Sequence, residues 1–178
     1  MTRAEIPDAQ RLLYEVYYEE QKWEPLQPNA SQLRADHSQR RIVDDLDASA
    51  IWVGVFTKGK LVGVTRILER TRMGRLEIER YVDLPASLLA DRVVIEANRV
   101  AVLAKHRRTL TLAVLHTYCE WMGTRLGALR SIGTATEKIA RGPARRYGWL
   151  ATEVSFRYHP DDPEPVRVLT CPFAWQHR

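Results

Sequence analysis

In the stretch VVIEANRVAVL, residues 93–103, Glu96 and Arg99 interrupt an otherwise apolar run. A run of this composition reads as a buried strand. A carboxylate desolvated in such a strand has a raised pKa and can take a proton from an attacking nucleophile. The same two residues can equally form a structural ion pair, because buried charges need partners. Strand side chains alternate faces, so positions 96 and 99 of a regular strand point opposite ways. Both can face one cleft only if a bulge adds a residue between them.

Two basic clusters offer a second kind of chemistry. Lys105, Arg107, Arg108 and Thr109 lie in KHRRT, just before a helical pattern. Such a turn can hold a phosphate, with the free N–H groups and dipole of the helix start assisting. It can also be a solvated basic turn. Arg141, Arg145 and Arg146 form the second run. The whole chain has 178 residues, 27 of them Lys or Arg and 22 Asp or Glu, for a formal charge of +5. That balance favours an anionic partner such as a carrier protein, a phosphorylated cofactor, a nucleic acid or an anionic membrane. The basic residues carry no nucleic-acid motif and no regular aromatic interleaving, so nucleic acid is not the expected partner. The five histidines and two cysteines show no metal-ligand spacing, so no metal is expected. The cysteines also make no disulfide framework. With no apolar signal segment and no run long enough to span a bilayer, a cytoplasmic protein without integral membrane contact is expected.

The elements that must position these residues follow from periodicity. A helix opens at Pro7 and Asp8, with Leu12, Leu13, Val16 and Tyr17 at helical spacing. A polar segment runs to about Asp47, with a short helix expected within 31–43. AIWVGVF and KLVGVTRIL form a hairpin across TKGK. Residues 70–91 are irregular or partly helical, and RVVIEANRVAVL is the long central strand. A helix follows over 109–127, with Thr109 as N-cap and Gly127 as stop. Then come a strand at ALRSIGTA, a broken helix over 136–148, and a closing pair at LATEVSFRYH and PVRVLTC. The order predicts an α/β sandwich around a mixed sheet, with residues 1–178 as a single domain.

Five features appear in one order: Trp23 after the first helix, Asp44 and Asp47 before the hairpin, Gly63 and Arg66 on its second strand, then Glu96 and Arg99. This series resembles the acyl-homoserine lactone (autoinducer) synthases and the long-chain N-acyl amino acid synthases, both branches of the GCN5-related N-acyltransferase (GNAT) superfamily. The resemblance runs from about residue 12 to 108 and more weakly beyond. It implies a GNAT-like fold with a mixed, mostly antiparallel sheet flanked by helices and a splayed or bulged central strand. Leu13 stands where that family usually has an arginine, and TRILER lacks a following Pro-Thr, so the acyl amino acid synthase branch is the closer likeness. HRRTLTLAVL has no glycine turn for a coenzyme A pyrophosphate, and Ala144 stands where acetyl-CoA enzymes often keep a tyrosine.

The resemblance implies an N-acyltransferase that moves an acyl chain from a thioester to the amine of an amino acid or similar small metabolite. Its co-substrate is an acyl-phosphopantetheine, on an acidic acyl carrier protein more than on CoA. Glu96 is then the expected base, and Arg66 and Arg99 order the acidic pair Asp44 and Asp47 and the site. Backbone N–H groups near Val100 to Val102 stabilise the oxyanion. Trp23 walls the acceptor or acyl pocket. Lys105, Arg107, Arg108 and Thr109 hold the pantetheine phosphate, and Arg141, Arg145 and Arg146 dock the carrier. The alternatives are a CoA-dependent acetyltransferase, a homoserine lactone synthase using S-adenosylmethionine, and a non-catalytic module with a basic face.

Overall fold

The structure is a computed structural model and describes residues 1–173. The first helix, α1 (Ile6–Leu13), has Pro7 in its first turn, where the missing N–H costs nothing. It continues as a π-helical segment over Tyr14–Glu20. Its apolar face, with Leu12, Leu13, Tyr14 and Val16, is buried.

The helix expected within 31–43 is instead a two-stranded antiparallel ribbon, β1 (Arg34–Asp36) and β2 (Arg41–Val43). Local chemistry decides this. The Asp36 carboxylate accepts hydrogen bonds from the Ser38 hydroxyl and the Gln39 N–H, which fixes a turn. Gln32 and Arg40 have φ of 53° and 51°, in the left-handed region that no helix interior permits.

The main sheet has six strands in the order β3-β4-β5-β6-β8-β7. They are β3 (Ile51–Thr57), β4 (Lys60–Glu69), β5 (Ile95–Val102), β6 (Arg130–Thr136), β7 (Leu150–Phe156) and β8 (Val166–Pro172). All neighbours are antiparallel except β5 and β6. Short helices α2 (Arg70–Met73) and α3 (Ala86–Leu89) interrupt the irregular segment between β4 and β5. The long helix α4 (Thr111–Leu126) connects β5 to β6 and ends at Gly127, whose left-handed φ of 82° favours a residue without a Cβ. It begins two residues later than expected. Leu110 holds the N-cap position, and the Thr109 hydroxyl accepts a hydrogen bond from Thr111 N–H. A short helix α5 (Glu137–Arg141) and a 3-10 turn (Ala144–Tyr147) form the broken helix after β6.

Alternation along the strands sends each face of the sheet to a different layer. Val53, Ile67, Ala97 and Val102 pack against Leu115 and Cys119 of α4. Trp52, Val62, Val64 and Ala101 pack against α1 on the other face. Beside α1 on that face, Leu68, Ile132 and Val168 pack on Leu76, Ile78 and Leu88 of the irregular segment.

Candidate active site

Two departures from regular pairing shape the centre of the sheet. In the β4–β5 ladder, Arg66 pairs with Asn98 but Val64 pairs with Ala101, so Arg99 and Val100 together oppose Thr65. This is a β-bulge, and Arg99 takes a φ of 52°. On the other side, β5 pairs with β6 only at Ile95↔Ser131 and Glu96↔Ile132. Beyond Glu96 the β6-facing edge of β5 has no ladder partner. At the throat of this splay a Cβ on Gly133 would stand 2.9 Å from the Ala97 carbonyl oxygen and 3.2 Å from the Trp149 ring. Only glycine fits there without displacing backbone.

The bulge turns Arg99 to the face that carries Glu96 and Asn98, as the sequence required for a shared site. Arg66 is the hub. It is 0% exposed, and its Nη1 donates to Asp44 Oδ1 at 2.6 Å and Asp47 Oδ1 at 2.7 Å. Its Nη2 donates to Glu77 Oε2 at 2.7 Å and its Nε to Asn98 Oδ1 at 2.9 Å. Arg99 Nη2 reaches Asp44 Oδ2 at 2.9 Å and Glu77 Oε1 at 2.5 Å. Gln10, from α1, donates to Asp47 Oδ2 at 2.7 Å. The anticipated acidic pair, both arginines and Glu96 therefore meet in one network.

Glu96 is fully buried. Its Oε1 accepts from Asn98 Nδ2 at 2.9 Å and its Oε2 from Ile78 N–H at 3.2 Å. Asn98 Nδ2 also donates to Glu77 Oε2 at 2.7 Å, so one amide couples the two glutamates.

Three carboxylates bond two guanidiniums and a fourth, Glu96, lies beside them without a cation of its own, and the imbalance sorts their proton affinities. Burial, then the nearby Glu77 carboxylate, pushes Glu96 up to about 7. Burial and the Asp44 charge raise Asp47. Burial also works against the charge on Asp44, but Arg66 and Arg99 overcome it and hold that carboxyl below the usual range. A carboxylate poised near neutrality beside a fixed ionic scaffold is suited to accepting and returning a proton.

A narrow cleft of about 40 Å³ adjoins the network, lined by Trp23, Leu26, Tyr81, Arg99, Tyr158 and His159 among others. Trp23 is half-buried, edge-on to Tyr17 with ring centroids 5.5 Å apart. It shares this cleft with Arg99. Val100 is exposed, and its carbonyl accepts the Tyr17 hydroxyl at 3.2 Å. Val102 is buried and paired with Gly63.

The basic residues lie apart from this network. Because β5 and β6 run parallel, their C-terminal ends point the same way, and the segments that follow them, 103–109 and 137–147, leave one end of the sheet. Lys105 and Arg108 are exposed, with no hydrogen-bond or ion-pair partner among the described residues. Arg107 is engaged: its Nε donates to the Val102 carbonyl at 3.0 Å and its Nη2 pairs with Glu20. Arg141 pairs with Glu137 on the surface at 2.6 Å, and Arg145 and Arg146 are exposed.

Sequence reasoning passed over Glu77, Asn98 and Tyr158. Glu77 stands between Leu76 and Ile78, an acidic residue flanked by two side chains that are themselves fully buried. That flanking was its only signal, in a segment with no periodicity. Tyr158 follows β7, and its hydroxyl lies 2.7 Å from Thr134 Oγ1. Burial, then Glu77 and Glu96, raises its phenol.

A GNAT acetyltransferase domain model matches residues 12–117. No curated protein matches the sequence. Among solved structures, the fold is similar to FeeM, an N-acyl amino acid synthase from uncultured soil microbes. The two are 16% identical with a TM-score of 0.68, over 97% of this chain and 87% of that one. It is also similar to BjaI, described as a CoA-dependent acyl-homoserine lactone synthase, at 15% identity and a TM-score of 0.67, over 96% and 77% of the two chains. An acyl-CoA N-acyltransferase from Pseudomonas aeruginosa is 19% identical with a TM-score of 0.61, over 96% and 92%.

Proposed function

The chain belongs to the GNAT acetyltransferase-domain family and is an acyltransferase; from that premise we propose that it transfers an acyl chain from a phosphopantetheine thioester to the amine of an amino acid or similar small metabolite. The observation that carries this reading is the Arg99 bulge beside the β5–β6 splay, which gathers a titratable Glu96 and two arginines at the centre of the sheet.

In this reading the acceptor amine attacks the thioester carbonyl. The carbon–nitrogen bond forms, the carbon–sulfur bond breaks, and the sulfur leaves as a thiol, its proton returned from Glu96 or supplied by solvent. Glu96 takes the amine proton. Since its carboxyl has no exposed surface, that proton travels through water or a side chain bordering the cleft, and Tyr158 is the candidate relay. Unpaired backbone N–H groups on the β5 edge near Val100 to Val102 are the candidate oxyanion donors. Trp23 walls the acceptor cleft, and that cleft must widen to admit more than a few waters. Arg66, with Asp44 and Asp47, holds the network in register.

The donor is proposed to be an acyl carrier protein in preference to CoA. Lys105 and Arg108, with Thr109 at the start of α4, would meet the pantetheine phosphate, and Arg141, Arg145 and Arg146 an acidic carrier. Arg107 supports the same turn through Glu20. No helix among the described residues is long and apolar enough to cross a membrane. The test is thiol release with short and long acyl donors, on carrier protein and on CoA, crossed with an amino acid panel and S-adenosylmethionine. Release from a long-chain carrier-bound donor with one amino acid bears the proposal out. Release only from acetyl-CoA replaces it with an ordinary acetyltransferase.

A further inference from the structure

On the face of the sheet opposite the ionic network, three potential metal ligands converge from two elements. His116 and Glu120 are one turn apart on α4, and Cys171 comes from β8. One ligand atom from each lies within 4.8 Å of the other two. Cys171 Sγ is 3.8 Å from His116 Nε2, and His116 Nδ1 is 4.0 Å from Glu120 Oε2. Linear spacing hides this group, because 55 residues separate the cysteine from the histidine.

We propose that His116, Glu120 and Cys171 form a binding site for a borderline-soft divalent cation of the zinc type. Zinc bonds of about 2.0–2.3 Å in tetrahedral geometry need ligand atoms about 3.3–3.8 Å apart. The imidazole presents one nitrogen to an ion, so its contacts with Cys171 and Glu120, made by opposite ring nitrogens, do not act together; the three ligand atoms, all within 4.8 Å of one another, close to that range by side-chain rotation. A thiolate, an imidazole and a carboxylate make a donor set that selects Zn²⁺ over Mg²⁺ or Ca²⁺. The surroundings suit such an ion. Cys171 is 2% exposed, and the His116 and Glu120 side chains are 14% and 16% exposed, so water can complete the coordination. Tyr147 and Trp149 flank the imidazole, with centroids 5.2 Å and 6.3 Å from it, and limit its rotation. On binding, the Cys171 thiol passes its proton to solvent and its sulfur bonds the metal.

The site joins α4 to β8 and includes no residue of the proposed acyl-transfer machinery, so its test does not depend on activity. The full chain is stripped with chelator and titrated with Co²⁺ alone, followed by near-ultraviolet absorption and Trp fluorescence. The expected result is one equivalent bound, with a thiolate-to-metal charge-transfer band that Zn²⁺ removes by competition and a thermal midpoint raised by either ion. Cys171→Ser and His116→Asn should abolish the band, and Cys119→Ala should keep it. The partly exposed Glu120→Gln, which spares the buried positions, should weaken binding at least tenfold. Absence of the band in the parent protein, its survival in Cys171→Ser, or unchanged affinity in Glu120→Gln would each overturn the proposal.

Discussion

Arg99 Nη2 and Glu77 Oε1 meet at 2.5 Å, although 22 residues separate them in the chain. The contact exists because the bulge turns Arg99 out of strand alternation and because the irregular segment before β5 folds back over the sheet. It fixes a negative charge beside Glu96, and that charge helps hold the Glu96 proton near neutral pH.

Replacing Glu96 by Gln should lower kcat by about 10²-fold or more, the usual contribution of a positioned base. The circular dichroism spectrum should keep its native shape. Full activity in this variant would remove Glu96 from the mechanism.

The pH profile of kcat/KM follows from the same residue. A base must be ionised to act, and Glu96 titrates at about 7. The rate should therefore rise with pH through neutrality, with about a tenth of the plateau remaining one unit below the midpoint. A profile already flat at pH 5.5 would contradict this assignment.

Arg66→Met should cost about 3–5 kcal/mol in urea unfolding at pH 7.5, because it strands Asp47 without a cation and leaves Asp44 and Glu77 to share Arg99 alone. The deficit should shrink in acid. Asp44 is depressed in the native state, so its stabilisation is present above its unfolded pKa and disappears as pH falls through its folded one. A pH-independent deficit would point to lost packing alone.

The basic turn divides by its contacts. Lys105→Glu with Arg108→Glu should raise the Michaelis constant for a carrier-bound donor, most strongly at low salt, with little effect on stability. Arg107→Ala should also lower stability, since it frees Glu20 and the Val102 carbonyl. An unaltered Michaelis constant in the double variant would place the donor elsewhere.

Tyr158→Phe should reduce kcat about tenfold while costing only about 1 kcal/mol for the lost Thr134 contact. Loss of stability without loss of rate would make the tyrosine a structural group only.

The order of the central elements was legible because their periods are strong. The hairpin, the strand around Glu96, the helix before Gly127 and the closing strand pair all lie where the pattern placed them. The convergence of Asp44, Asp47, Arg66, Glu96 and Arg99 was legible through the family resemblance that their order carries. Two kinds of feature were not. The ribbon over 34–43 depends on a side-chain turn at Asp36, which competes with helix locally and leaves no period. Glu77 takes its role from a loop packed across the sheet, and nothing in LEIER states where that loop returns. The left-handed backbone at Arg99 was equally hidden, since that conformation usually calls for glycine.

The two-pair junction between β5 and β6 divides the sheet mechanically. One leaf holds β3, β4 and β5 and the other β6, β8 and β7, and Glu96↔Ile132 is one of the only two rungs in the spine between them. The leaves should behave as separate units in hydrogen exchange, with helix α4 as the strap across their back. The open edge therefore begins at the rung that carries the proton-holding Glu96.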